Sequence, residues 1–159
     1  MRKQTLLVIA NVAGVLAVAA ALMAQNADLL FGTWTVDVSK SKYSPGPAPK
    51  SNTKKFEPWK DGFKATQDLV TAKGDKIHLE MTGKTDGKDY PATGNPDVDT
   101  VAMKRLDGHN YEIMQKKNGK VTLTGKMVIA PDGKSRTITQ TGKTAKGEPI
   151  NNMVYWDKH

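Results

Sequence analysis

Between Asp99 and Trp156 the chain alternates apolar and polar residues, and the alternation is cut at short intervals by Asp-Gly or Asn-Gly pairs. Asp107-Gly108, Asn118-Gly119 and Asp132-Gly133 lie 11 and 14 residues apart, and Lys146-Gly147 follows 14 residues later. These are hairpin intervals. Two-residue turns that match strand twist need positive φ, which Gly adopts freely and Asn or Asp tolerate best. Between the turns Tyr111, Ile113 and Gln115 alternate with Glu112, Met114 and Lys116. Val121, Leu123, Met127 and Ile129 fall into a similar apolar series among Lys120, Thr122, Thr124 and Lys126. A period of two gives each strand one buried and one wetter face. A lone hairpin is marginal in water, whereas a series sharing an apolar face can close on itself and remove its edges.

The earlier part of the chain follows the same grammar with two interruptions. Phe31-Gly32-Thr33-Trp34 opens a first strand in which Trp34, Val36 and Val38 share a face, ending near Ser39. Lys40 to Lys55 contains Pro45-Gly46-Pro47-Ala48-Pro49 and reads as a semi-extended loop, since proline removes donors and fixes φ. That loop is a strap across one end of a barrel, or else a mouth lid or a partner-binding polyproline segment. Asp61-Gly62, Lys73-Gly74 and Asp86-Gly87 then mark turns around strands at Phe63–Ala72 and Lys76–Thr82, with Ile77, Leu79 and Met81 facing inward. Pro91, Gly94 and Pro96 interrupt the next span, leaving Lys88–Thr93 as no more than an edge strand. Turn counting gives about nine short strands and almost no helical period. The fold class expected is all-β: an antiparallel up-and-down barrel of about 8–10 strands.

The N-terminus carries an export signal. Arg2 and Lys3 precede an apolar, alanine-rich run from Leu6 to Ala24, with small residues at Ala19, Ala21, Ala24 and Ala27. Residues 1–27 therefore read as a signal peptide cut near Ala24 or Ala27, leaving 28–159 as one domain that is secreted or periplasmic, not stably inserted in a membrane, and monomeric. An uncut anchor is the alternative, because 19 residues just span a bilayer. Without Arg2 and Lys3 the chain holds 22 basic and 16 acidic residues, a net charge of +6. Its arginines are then Arg105 and Arg136, and its lysines are spread through strands and turns. Nucleic-acid sites gather arginine and concentrate charge on one face, so no nucleic-acid partner is expected. The chain has no Cys, which removes disulfides and thiolate metal sites.

Catalytic signals are thin. His78 and Glu80 share a strand face, but with Lys76 and Thr82, which marks it as the solvated one. His109 lies in a turn and His159 ends the chain, so neither metal-ligand spacing nor a nucleophile motif is present. Asp97 and Asp99 flank a Pro-containing turn, where Asp commonly caps backbone. The expectation is a non-enzyme without metal or cofactor.

Phe31-Gly32-Thr33-Trp34, Gly74-Asp75-Lys76-Ile77 midway, the succession of Asp-Gly hairpins and Val154-Tyr155 near the end resemble the calycin superfamily, the lipocalins and fatty-acid-binding proteins. The chain is also similar to small exported lipocalin-like bacterial proteins sharing the Gly-Thr-Trp, Ser-Pro-Gly-Pro-Ala-Pro and Gly-Asn-Pro-Asp pattern. The resemblance departs from the fatty-acid-binding proteins in two places. A proline-rich loop stands where they carry a helical lid, and Met153-Val154-Tyr155 stands where they carry the Arg-x-Tyr that grips a carboxylate. What it implies is a calycin-like barrel with an apolar lining that takes a small apolar or amphipathic ligand. The lining residues implied are Trp34, Met103, Arg105, Tyr111, Gln115, Leu123, Met127, Gln140 and Trp156. Polar members of such a lining must be paired when buried, and a ligand is one way to pair them. Arg105, two residues before a turn, can instead snorkel at the rim. The alternative is a structural or protein-interaction barrel whose interior is filled by its own side chains.

Overall fold

The computed structural model describes residues 28–144 and 147–159, so the signal peptide expected over 1–27 lies outside the described residues. Ten strands run in chain order: β1 (Gly32–Lys42), β2 (Ser51–Trp59), β3 (Gly62–Val70), β4 (Lys76–Gly83), β5 (Asp86–Thr93), β6 (Thr100–Arg105), β7 (Asn110–Lys117), β8 (Lys120–Ile129), β9 (Ser135–Lys143) and β10 (Pro149–Lys158). Each pairs antiparallel with its neighbours in sequence, and β1 pairs with β10, closing an up-and-down barrel. Closure leaves no sheet edge.

The alternation sets what faces the lumen. Trp34 and Val36, Phe56, Phe63 and Ala65, Leu79 and Met81, Val101 and Met103, Tyr111, Met127 and Ile129, Ile138, and Val154 and Trp156 form one buried cluster. The register keeps them level across strands, as in Phe56 opposite Ala65, Ala65 opposite Met81, Met103 opposite Ile113, and Ile138 opposite both Met127 and Val154.

Four expectations are corrected. The proline loop does not reach Lys55; β2 begins at Ser51 and pairs residue for residue with β3, because proline constrains the backbone only as far as Pro49 and Asn52, Lys54 and Phe56 resume the period of two. Lys54 occupies an inward position, which hides that period. The residues from Lys88 to Thr93 form no edge strand. They belong to β5, flanked by β4 and β6, although β4 holds it through just Glu80–Thr93 and Met81–Ala92. The turn before β5 lies at Lys84–Thr85; Asp86 and Gly87 (φ +80°) are already in the strand, where a register shift before Asp89 marks a bulge. β1 continues past Ser39 to Lys42, but it bulges after Asp37, whose carboxylate accepts the Ser39 and Lys40 N–H groups and the Ser39 hydroxyl. Val38 therefore leaves the Trp34 face and is exposed.

Candidate functional site

The lumen has two unlike ends. Residues 28–31 cross the end at which β1 starts, and their Leu30 packs with Trp34, Phe63, Tyr111, Met127, Ile129 and Arg136, all essentially without solvent contact. Trp34 Nε1 donates to the Leu30 carbonyl at 2.9 Å, and Phe56 meets Phe63 edge to face at 5.5 Å between ring centres. Asp28 ties this floor together: its carboxylate accepts the Leu30 N–H, the Tyr111 hydroxyl at 3.1 Å and the Arg105 guanidinium at 3.1 Å. The void left in the floor is 20 Å³, room for about one water.

At the opposite end the lumen widens into a mouth cavity of 330 Å³, within the range of small-molecule sites. Tyr43, Pro47 and Pro49 of the β1–β2 loop form its lip, with Leu69, Leu123 and Val154 below them. Amides line its middle. Gln67 donates to Asn52 at 2.9 Å and Asn152 to Gln140 at 3.2 Å, while the Gln115 side chain has no hydrogen-bond partner among the described residues. Lys54, Ile113, Gln115 and Ile138 border both the floor void and the mouth cavity, so the two adjoin. A larger concavity of 520 Å³ lies on the outer wall over Ala102, Lys104, Glu112, Met114 and Lys126, but among the described residues no unpaired buried polar atom faces it.

Cations set the chemistry of the floor. The Arg136 guanidinium is stacked among three rings, with its central carbon 4.4 Å from the centre of Trp34, 4.8 Å from Trp156 and 5.4 Å from Phe56. Its Nη1 points at Met127 Sδ at 3.5 Å, and its Nε and Nη2 have no partner among the described residues. Nε and Nη2 are the parallel pair of donors that a carboxylate accepts in bidentate fashion. Burial lowers Arg136 to about 9, so it stays charged at neutral pH. Lys54, one strand step above Phe56, makes no ion pair among the described residues. Enclosure by the wall, and then repulsion from Arg136, bring its amine down to about 7. Lys158 lies over the other side of this floor, 5.0 Å from the Trp34 ring centre, and donates to the Leu29 carbonyl. No carboxylate among the described residues faces Arg136 or Lys54, and an unpaired buried charge is costly.

The residues expected to line a site divide between these regions. Gln115, Leu123, Gln140 and Trp156 border the mouth cavity. Met103 and Met127 border the floor void, while Trp34 and Tyr111 are packed into the floor itself. Arg105 stands at the rim, half exposed and paired with Asp28, as the snorkelling alternative has it. Arg136 and Lys54 were missed as lumenal groups. Both carried the signal: Arg136 precedes Ile138 by two residues and Lys54 precedes Phe56 by two, so strict alternation turns each inward. His78 lies on the solvated outer face, where Asp68 at 2.6 Å and Glu80 at 3.5 Å raise it above its ordinary value. Among the described residues no group of three or more His, Cys, Asp or Glu could hold a metal ion.

No family model matches the chain, and no curated protein matches it. Among solved structures, the ileal bile acid-binding protein of zebrafish complexed with cholic acid is similar, with 12% identity and a TM-score of 0.48 over 82% of this chain and 99% of that one. At that identity and score the likeness assigns neither ligand nor residue. The ring of paired strands defines the class by itself: a closed ten-stranded meander with a cationic lumen.

Proposed function

We propose that this barrel binds a small amphipathic carboxylic acid, with its acid on Arg136 and Lys54 and its apolar body in the mouth cavity. The observation that carries the reading is the Arg136 fork, a buried pair of donors without an acceptor in a lumen without an opposing carboxylate among the described residues. Such a charge needs a partner of opposite sign, and a carboxylate with two oxygens matches the two parallel donors of the fork. Lys54 adds a second cation, and Leu69, Leu123 and Val154 supply apolar surface worth about 25 cal/mol per Å² before the costs of association. The Pro45–Pro49 loop borders the entrance and would close over the body of the ligand. We further infer a binding protein working outside the cytoplasm, supported by Arg2 and Lys3 ahead of the apolar run to Ala24.

Calorimetric titration with nonanoate, nonanol and nonylamine, which share a chain and differ in head group, tests the reading. Nonanoate binds at least about tenfold tighter than nonanol, nonylamine does not bind, and Arg136→Met removes the preference for the acid. Equal binding of acid and amine would overturn it. The packed floor favours a second reading, a barrel filled by its own side chains that works through its surface, and absence of binding by all three probes would favour that one.

A further inference from the structure

We propose that the acid carries a second hydrogen-bonding group, such as a carbonyl, hydroxyl or amide, within a few bonds of its carboxylate, read by Gln115. This deepens the carboxylic-acid reading and rests on it. Of the lumenal amides, Asn52, Gln67, Gln140 and Asn152 are engaged with one another, so each already holds one partner when an apolar body lies against it. Gln115 differs. Its backbone carbonyl accepts the Thr122 hydroxyl, but its side-chain amide has no partner among the described residues while bordering the lumen. Its place is close to the cations. Gln115 borders the same 20 Å³ void as Arg136 and Lys54, so a group that reaches it from an acid on the fork is near that acid.

A second unpaired group lies in the same region. Trp156 Nε1 is a buried donor without an acceptor among the described residues, and its ring stacks on the Arg136 guanidinium with 4.8 Å between ring centre and central carbon. A plain alkyl acid would cover Gln115 and satisfy neither group. Covering a polar group without a partner is unfavourable, and a site with free polar groups discriminates most against the analogue that lacks the matching atom. The amide of Gln115 both donates and accepts, whereas the indole only donates. A carbonyl oxygen near the acid therefore suits both.

N-hexanoylglycine and nonanoate test this directly, since both are nine-atom chains ending in a carboxylate and the first carries an amide three atoms from it. Calorimetric titration of the full chain should show N-hexanoylglycine binding roughly tenfold to a hundredfold tighter, with the ratio falling toward one in Gln115→Met and in Gln115→Leu, both checked for fold by circular dichroism. If the two acids bind equally, or nonanoate binds tighter, and both still depend on Arg136, this inference is wrong and the carboxylic-acid reading stands. If neither binds, or binding is indifferent to Arg136→Met, the carboxylic-acid reading falls and takes this inference with it.

Discussion

The Arg136 guanidinium carbon lies 4.4 Å from the centre of the Trp34 ring, so the first tryptophan of the barrel forms one wall of the slot that holds its buried arginine. Ring faces attract a cation but accept no N–H bonds along the guanidinium edge, which leaves Nε and Nη2 available. Replacing this charge by an apolar side chain of similar length removes an unpaired ion from the floor. Arg136→Met should therefore stabilise the ligand-free protein by about 1–4 kcal/mol while abolishing the preference for acids. Urea unfolding and nonanoate titration of the same variant check both halves; a destabilised variant would show that the ring stacking outweighs the cost of the unpaired charge.

Lys54 makes stability and binding depend on pH in opposite directions. Its amine titrates near 7 in the folded barrel against an ordinary 10.5, so between these values the unfolded chain binds a proton that the folded chain lacks. Stability of the ligand-free protein consequently rises with pH across that window and is lowest below pH 7, where the folded state must hold Lys54 charged. Lys54→Met should be more stable than the parent at pH 6, and the gap should narrow by pH 10 in urea titrations. An anion, by contrast, should bind more tightly at pH 6 than at pH 9, and Lys54→Met should flatten that dependence.

Leu123 lines the mouth and is incompletely buried, so a larger side chain can enter the cavity without displacing the packed floor. Leu123→Trp is expected to weaken nonanoate binding tenfold or more and to change stability by less than about 1.5 kcal/mol. Retained affinity would place the ligand elsewhere.

Asp28 accepts from Leu30, Tyr111 and Arg105 and joins the entry segment to β6 and β7. Tyr111→Phe, losing one neutral hydrogen bond, should cost about 1 kcal/mol, and Asp28→Ala, which leaves the buried Tyr111 hydroxyl unpaired, about 1–3 kcal/mol. Thermal unfolding of both variants checks the order.

Gly94 closes the weakest seam of the wall. It sits at φ +88°, and a Cβ there would lie 1.8 Å from the His78 carbonyl oxygen, a clash of backbone against backbone that no side chain can relieve. Gly94→Ala should cost about 2 kcal/mol or more and should speed amide exchange at Leu79 to Met81, where β4 meets β5 through two residue pairs.

Much of the barrel could be read from residue order because its grammar is local. Asn118-Gly119 has both residues at positive φ and joins β7 to β8 as its chemistry demands. Ile77, Leu79, Met81, Ile113 and Ile138 take the face their spacing assigns. Reading failed where a polar side chain sat at an inward position, as Lys54 does in β2, or where a bulge reset the phase, as after Asp37 in β1 and around Gly87 in β5.

The order of residues alone determined the repeat of two, the places where the chain reverses, and hence an all-β meander with one greasy face. The tertiary structure decided that β1 seals against β10, that the floor is solid while the mouth is open, and that Arg136 meets Trp34 and Trp156 across strands 20 or more positions distant in sequence. Alternation is a property of neighbouring peptide units and is written into each segment. The partner a lumenal charge finds depends on which strands close the ring, and that is settled only when the ring closes.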